Sequence, residues 1–294
     1  MQYQPLFSIL IANYNNCKYL MEAIESVRQQ TYANWEVVLV DDASTDNSVK
    51  LYAELEQDER IHIYYNEQNM GCGYTKRRCA ELAKGEFCGF LDADDVLTNE
   101  ALQVMVDAHI HYPKASLIYS RYVEANENLQ NQSRPIGASL DHEKSYLESI
   151  NGWVSHFATF KLSAYKKTEG IGSRYTRAVD QDLYLKLDEV GEIIFIDKVL
   201  YIYRQGTGMN ISLGKTNVRK ALCWEMLARV EACERRSISI DKLAFNKMLK
   251  WLKEMETEAS LQKELEIRAS RPYRLGKVLL EPFGFLRAII NKKK

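Results

Sequence analysis

The sequence is poor in the features that mark secreted, membrane-spanning or nucleic-acid-binding chains. Its six cysteines, at positions 17, 72, 79, 88, 223 and 233, form no CxxC pair and show no regular disulfide spacing. Two of them fall inside predicted strands or helices, so reduced thiols and a cytoplasmic location are expected. The N-terminus lacks a basic stretch followed by an apolar one, and no apolar run is long enough to cross a bilayer. There is no internal repeat and no low-complexity tract. A net charge of -1 gives no reason to expect nucleic acid as a partner. Nor does a glycine-rich loop follow the first apolar strand, where the chain reads Asn13-Tyr-Asn-Asn-Cys. That absence argues against a dinucleotide dehydrogenase, which needs G-x-G-x-x-G there, and against a sugar-nucleotide nucleotidyltransferase with its cationic glycine-rich loop. An EF-hand loop begun at Asp92 fails too, because Leu97 and Gln103 stand where glycine and glutamate are required.

What is present suits one or two soluble domains with a sizeable core: 46% of the 294 residues are apolar and 27% charged. Phe7-Ser-Ile-Leu-Ile-Ala predicts a buried strand, Leu20, Ile24 and Val27 mark one face of a helix, and Trp35-Glu-Val-Val-Leu-Val predicts a second strand. The beat continues with a helix capped by Ser44 or Thr45 and a strand at Ile61-His-Ile-Tyr-Tyr. Then come a helix over 75–83, a strand over 87–91, a helix over 101–112 and a strand over 116–119. This alternation implies an α/β fold with a mostly parallel sheet and helices on both faces, in which ligands sit at the carboxyl ends of the strands. Residues 126–143 turn polar and predict a mobile loop that could cover a substrate. Beyond about Gly214 long helices are expected, over 218–235 and 241–268.

Three polar clusters follow strands directly: Asn13-Tyr-Asn15, Asp41-Asp42-Ala-Ser44 and Asp92-Ala-Asp-Asp95. In a parallel sheet they converge on one rim. Each alone is a polar turn as readily as a site, since turns favour Asp and Asn. Carboxylates spaced as in Asp92-Ala-Asp94 repel one another unless a cation neutralises them, and hard divalent ions such as Mg²⁺ or Mn²⁺ take such oxygen ligands. A metal bridging protein and diphosphate is the functional alternative to the turn.

These residues resemble the family 2 inverting glycosyltransferases, nucleotide-sugar enzymes of the GT-A fold, over roughly residues 6 to 205. The likeness rests on Ser8-Ile-Leu-Ile-Ala-Asn-Tyr-Asn15, Ser26-Val-Arg-Gln-Gln-Thr-Tyr32, Val40-Asp-Asp-Ala-Ser-Thr-Asp46, Asn69-Met-Gly71 and Gly85-Glu-Phe-Cys-Gly-Phe-Leu-Asp-Ala-Asp-Asp95. The resemblance implies a UDP-sugar donor held by Ala12, Tyr14, Asp42, Lys76, Asp92 and Ala93. Tyr14 would lie against uracil, Asp42 would accept its imide N–H, and Asp94 would hold Mg²⁺ or Mn²⁺. Lys76 stands where the family has arginine, and offers the diphosphate a point charge instead of a bidentate fork. Asp42 could instead cap the following helix.

In the second half, Val179-Asp-Gln-Asp-Leu resembles the family's Glu-Asp-x-Asp-Leu segment, with Asp180 at the base position and Val179 in place of an acidic partner. Asp180 is the candidate base and Asp182 the reserve, or a helix cap. Trp153, His156 and Arg204 are candidates for acceptor contacts or a lid, and Gly206 stands where the family has histidine. The expected organisation is a glycosyltransferase domain over 1–214, with its nucleotide-binding half ending near 120, and a helical region over 215–294. The stretch from Arg268 to Lys294 carries +7, leaving -8 for the rest. Such a tail either packs on its own domain or lies on an anionic membrane. The expected activity is hexosyl transfer to a saccharide or lipid-linked acceptor in surface-polysaccharide synthesis, by a cytoplasmic or peripherally membrane-bound enzyme. The alternatives are a catalytically impaired relative that only binds nucleotide and a sugar-nucleotide nucleotidyltransferase.

Overall fold

The computed structural model describes residues 3–140, 145–147, 154–207 and 215–239. The chain divides into two units, Met1–Ala232 and Cys233–Lys294. The expected helix over 241–268 and the basic tail lie outside the described residues, as does Trp153.

In chain order the elements are β1 (Phe7–Asn13), α1 (Cys17–Arg28), β2 (Trp35–Asp41), α2 (Ser48–Leu55), β3 (Ile61–Tyr65), α3 (Cys72–Leu82), β4 (Phe87–Phe90) and β5 (Val96–Leu97). They continue as α4 (Ala101–His111), β6 (Ala115–Ala125), β7 (Thr159–Lys161), α5 (Leu162–Tyr165), α6 (Val179–Asp188), β8 (Glu192–Arg204) and α7 (Lys215–Arg235). Eight strands form one sheet in the order β3-β2-β1-β4-β7-β6-β8-β5.

Its first four strands are parallel throughout, in a register that sets Ile9 beside Val37 and Gly89. All seven residues of β2 are buried, as expected for a strand covered on both faces, and each large apolar side chain so enclosed contributes about 2 kcal/mol. On one of those faces α1 packs Leu20, Ala23, Ile24 and Val27. The remainder is mixed: β7 pairs antiparallel with β4 and β6, β6 runs parallel to β8, and β5 lies antiparallel on β8. The sheet is thus parallel in four of its seven pairings, a bare majority, because the short β7 inserts between β4 and β6.

Three local expectations need correction. The second helix starts at Ser48 after Asn47, not at a Ser44 or Thr45 cap. Ser44 Oγ instead accepts the Asn15 N–H at 2.9 Å, which ties the loop after β2 to the loop after β1. β6 runs on to Ala125, because its outer half pairs with β8 across two register shifts that a periodicity argument does not see. The described part of the polar stretch 126–143 folds back on β6: Ser133 and Ile136 donate their N–H groups to the carbonyls of Glu124 and Tyr122, at 2.7 and 2.8 Å. None of the six cysteines is in a disulfide. Among the described residues no helix is long and apolar enough to cross a membrane.

Candidate nucleotide-binding cleft

The three polar clusters do meet. β1, β2 and β4 end together, and their loops line a cavity of about 610 Å³ with the first turns of α3 and α6. The lining includes Ala12, Tyr14, Asp42, Lys76, Asp92, Ala93, Asp94 and Asp180. Asn69 and Gly71 of the Asn69-Met-Gly71 motif join them, with Cys72, Thr75, Thr176, Arg177 and Tyr203, which were not expected as site residues. Thr176 and Arg177 lie one residue ahead of the Val179-Asp-Gln-Asp segment, which was the available signal for them.

The loops after β1 and β2 are laced together. Asn13 Nδ2 donates to the Tyr52 hydroxyl at 2.8 Å, and that hydroxyl donates to Asp41. Asp41 also accepts the Ser44 N–H at 2.9 Å, and Asn15 Oδ1 accepts the Thr45 N–H at 2.7 Å. Asn15 and Ala43 adopt left-handed backbone, with φ of 55° and 59°. Tyr14, 46% exposed, leaves its ring free toward the cleft. Asp42 is buried and does not cap α2. It accepts the Met70 and Gly71 N–H groups at 2.8 and 2.9 Å and Asn66 Nδ2 at 2.7 Å, so it holds the start of α3.

At the end of β4 the three aspartates play different parts. Asp95 is wholly buried: Oδ2 accepts the Tyr201 hydroxyl at 2.7 Å and Oδ1 accepts the Arg204 N–H at 2.7 Å. It braces the turn from below. Asp92 faces the cleft, 3.1 Å from the Lys76 ammonium. Dehydration in the cleft opposes its charge, yet Lys76 holds its carboxyl below the usual range. Asp94 has no such cation in ion-pair contact among the described residues; burial, and then the charge of Asp92, push its carboxyl up to about 6.

No cluster of three or more His, Cys, Asp or Glu side chains is placed to hold a metal ion among the described residues. A half-buried carboxylate without a cation partner suits a divalent cation shared with substrate phosphates, since Mg²⁺ commonly takes one or two protein carboxylates and completes its shell from phosphate and water. A cation there would also relieve the energy that burial imposes on Asp94, so the residues present fit such an ion.

On the opposite wall Ala178, with φ of 51°, precedes α6, and Asp180 occupies its first turn. Asp180 Oδ1 lies 3.2 Å from Lys76 Nζ. Asp182 does not line the cleft: 1% exposed, it accepts the Gly172 N–H at 2.7 Å and pairs with Lys186 at 2.8 Å. His156 lies just behind, stacked on Tyr201 and Tyr203 with ring centroids 4.7 and 5.8 Å apart, and burial lowers its proton affinity. Arg204 is buried beneath the acidic turn, which removes it as a mobile lid residue.

The sheet order and the cleft at the strand ends define an α/β nucleotide-binding architecture of the GT-A kind. The glycosyl transferase family 2 profile matches residues 8–169, and the chain belongs to that family. It is 30% identical to the chondroitin synthase of Escherichia coli over 218 residues, covering 74% of this chain and 31% of that protein. It is 28% identical to the glycosyltransferase GlyG of Streptococcus pneumoniae serotype 4 over 219 residues, covering 69% and 72%. The hyaluronan synthase of Pasteurella multocida, 28% identical over 219 residues, is matched over 74% of this chain and 22% of its own length. The chain thus spans less than a third of both synthases. Among solved structures, Staphylococcus aureus TarS 1-349 with UDP-GlcNAc superposes with a TM-score of 0.60 at 19% identity, covering 76% of this chain and 66% of that one. The mannosyltransferase PcManGT of Pyrobaculum calidifontis, with GDP-Man and Mn²⁺, gives 0.55 at 17% identity, covering 95% and 84%. These structures share the fold.

Proposed function

We propose that the chain binds a UDP-sugar in this cleft and transfers the sugar, with inversion, to a saccharide or lipid-linked saccharide in surface-polysaccharide synthesis. One observation carries the reading: Asp42, Asp92, Asp94 and Asp180, drawn from the ends of β2 and β4 and the start of α6, face a single cavity. The UDP-GlcNAc and GDP-Man complexes of proteins with this fold support a nucleotide-sugar donor. The names of the relatives, among them a putative teichuronic acid biosynthesis glycosyltransferase of Bacillus subtilis, support a polysaccharide product.

Uracil lies on the Tyr14 ring and gives its imide N–H to Asp42. That carboxylate already accepts three N–H groups, and a carboxylate offers about four acceptor positions, so one more donor fits. Asp92 and the Ala93 backbone border the ribose and diphosphate, and Lys76 supplies positive charge to the latter. Asp94 would hold Mg²⁺ or Mn²⁺, which would offset the charge that builds on the departing nucleoside diphosphate. Asp180 takes the proton of the acceptor hydroxyl as its oxygen attacks the anomeric carbon opposite the leaving group; the new glycosidic bond forms as the bond to the diphosphate breaks. Tyr203, which lines the cavity, is available for an acceptor contact, with His156 stacked behind it. The basic segment from Arg268 to Lys294 would bring the enzyme to an anionic inner membrane face.

Calorimetric titration with UDP tests the binding half. Binding in Mn²⁺ that disappears in chelator and in Asp94→Ala supports the reading; equal binding in chelator, or none in either, sinks it. Consumption of a UDP-sugar with acceptor, lost in Asp180→Ala, tests transfer.

A further inference from the structure

The Lys76 ammonium is shared by two walls of the cleft. It is almost fully buried, lies 3.1 Å from Asp92 Oδ1 and 3.2 Å from Asp180 Oδ1, and rests 5.1 Å from the Phe90 ring centroid. Burial works against its charge, but the carboxylates of Asp180 and Asp92 more than compensate and raise it above the ordinary lysine range. It is therefore a firmly held ammonium bridging the donor strand and the candidate base.

That contact is unproductive for proton abstraction. The ammonium engages Asp180 Oδ1 from the donor wall, whereas a general base needs its lone pair directed at the acceptor hydroxyl. Lengthening the pair would free Asp180 Oδ1 for the acceptor hydroxyl. Asp180 sits in the first turn of a helix that Asp182 anchors to Gly172 and Lys186. Lys76 is the partner that can move, on a flexible four-carbon stem. A nucleoside diphosphate entering beside Asp92 brings the negative charge that would draw it. The nucleoside acts on the same helix, because Asp42 holds the Met70 and Gly71 N–H groups at the start of α3 and Lys76 follows just over a turn later.

We propose that Lys76 is a positioning residue that masks Asp180 in the donor-free enzyme and releases it when a nucleoside diphosphate draws the ammonium away. The inference rests on the donor and base assignments above. It makes the base fully available only with the donor in place. Reciprocity follows from linkage: if UDP takes Lys76 from Asp180, then Asp180 must weaken UDP binding by the same factor.

The test is a double-mutant cycle read by UDP titration in Mn²⁺, using wild type, Asp180→Asn, Lys76→Met and the double variant. Lys76→Gln serves as a second neutral replacement, Lys76→Arg as a charge-keeping one, and thermal melts check folding. Asp180→Asn is expected to tighten UDP binding by about fivefold or more in the wild-type background. The gain should persist with arginine at position 76 and vanish with methionine or glutamine. Unchanged or weaker binding by Asp180→Asn overturns the proposal. So does equal tightening in the Lys76→Met background, which would report plain repulsion between Asp180 and the diphosphate. Absence of UDP binding to wild type would instead remove the donor reading, and the inference with it.

Discussion

Arg204 Nε donates to the Asp94 backbone carbonyl at 2.6 Å, so the last residue of β8 holds the acidic turn after β4 from beneath. The same guanidinium pairs with Glu22 at 2.8 Å, donates to the Glu127 carbonyl and covers the Tyr19 ring at 4.7 Å. Its backbone N–H completes the support at Asp95. The residue that would grip the cation is therefore placed by a buried side chain 110 positions away.

Arg204→Met should cost about 3 kcal/mol in urea denaturation, because it strands buried acceptors and one partner of an ion pair. Arg204→Lys should recover only part of that, since an ammonium cannot span three partners in a plane. Metal-dependent UDP affinity should fall with both. Wild-type UDP affinity in folded Arg204→Met would mean that the turn holds its shape unaided.

Asp180 and Asp182 differ in kind despite their spacing. Asp180→Asn should leave thermal stability near that of wild type and slow sugar transfer by about 10² to 10⁴. Asp182→Asn should leave Lys186 buried without its charge partner and destabilise by about 3 to 5 kcal/mol. Thermal melts and donor-consumption rates on both proteins check this, and a reversed pattern would exchange their roles.

Much of this was legible in the chain. The strand-helix beat places Asn13, Asp41 and Asp92 at equivalent ends of neighbouring parallel strands, and adjacency in the sheet follows from it. What local pattern could not show was long-range partnership. Asp95 is written like its neighbours, yet it is structural because Tyr201 and Arg204 return to it from β8. Asp42 looks like a cap, but its oxygens go to α3. Ser44 has the composition of a cap and serves as a staple between two loops. The insertion of β7 between β4 and β6 depends on pairings such as Cys88 with Phe160 and Leu117 with Phe160, beyond the reach of any periodicity.

His109 supplies a pH prediction away from the cleft. Burial depresses its imidazole from 6.5 to about 3; its ring stacks on Phe87 at 4.5 Å and Nε2 lies 3.0 Å from Thr159 Oγ1. The unfolded chain takes up a proton below about 6.5 while the native state does not. This contribution to stability is thus full above 6.5 and is lost as pH falls toward 3, by up to about 1.4 kcal/mol per pH unit. His109→Gln should flatten that part of the stability profile between about pH 6.5 and 4 in denaturation series. An unchanged slope would show that His109 is protonated in the native state.

Gly73 marks where the donor and base walls meet. A Cβ there would lie 2.3 Å from the Tyr175 carbonyl oxygen and 2.7 Å from that of Gly172, and neither is the end of a flexible side chain. The approach is held from both sides: the Gly73 N–H donates to the Tyr175 carbonyl at 3.0 Å, Asp182 accepts the Gly172 N–H, and Arg77 donates to the carbonyls of Glu169 and Ile171. Gly73→Ala must push α3 away from the segment that leads to Asp180, at about 1 to 3 kcal/mol of overpacking strain. Because Lys76 and Asp42's amide partners belong to that helix and its start, transfer should suffer more than the fold does. Gly71→Ala is the contrast: no atom lies within 4 Å of its added Cβ, and only its φ of 86° opposes the change. If urea midpoints showed Gly73→Ala as the milder substitution, the two walls would not be in contact there.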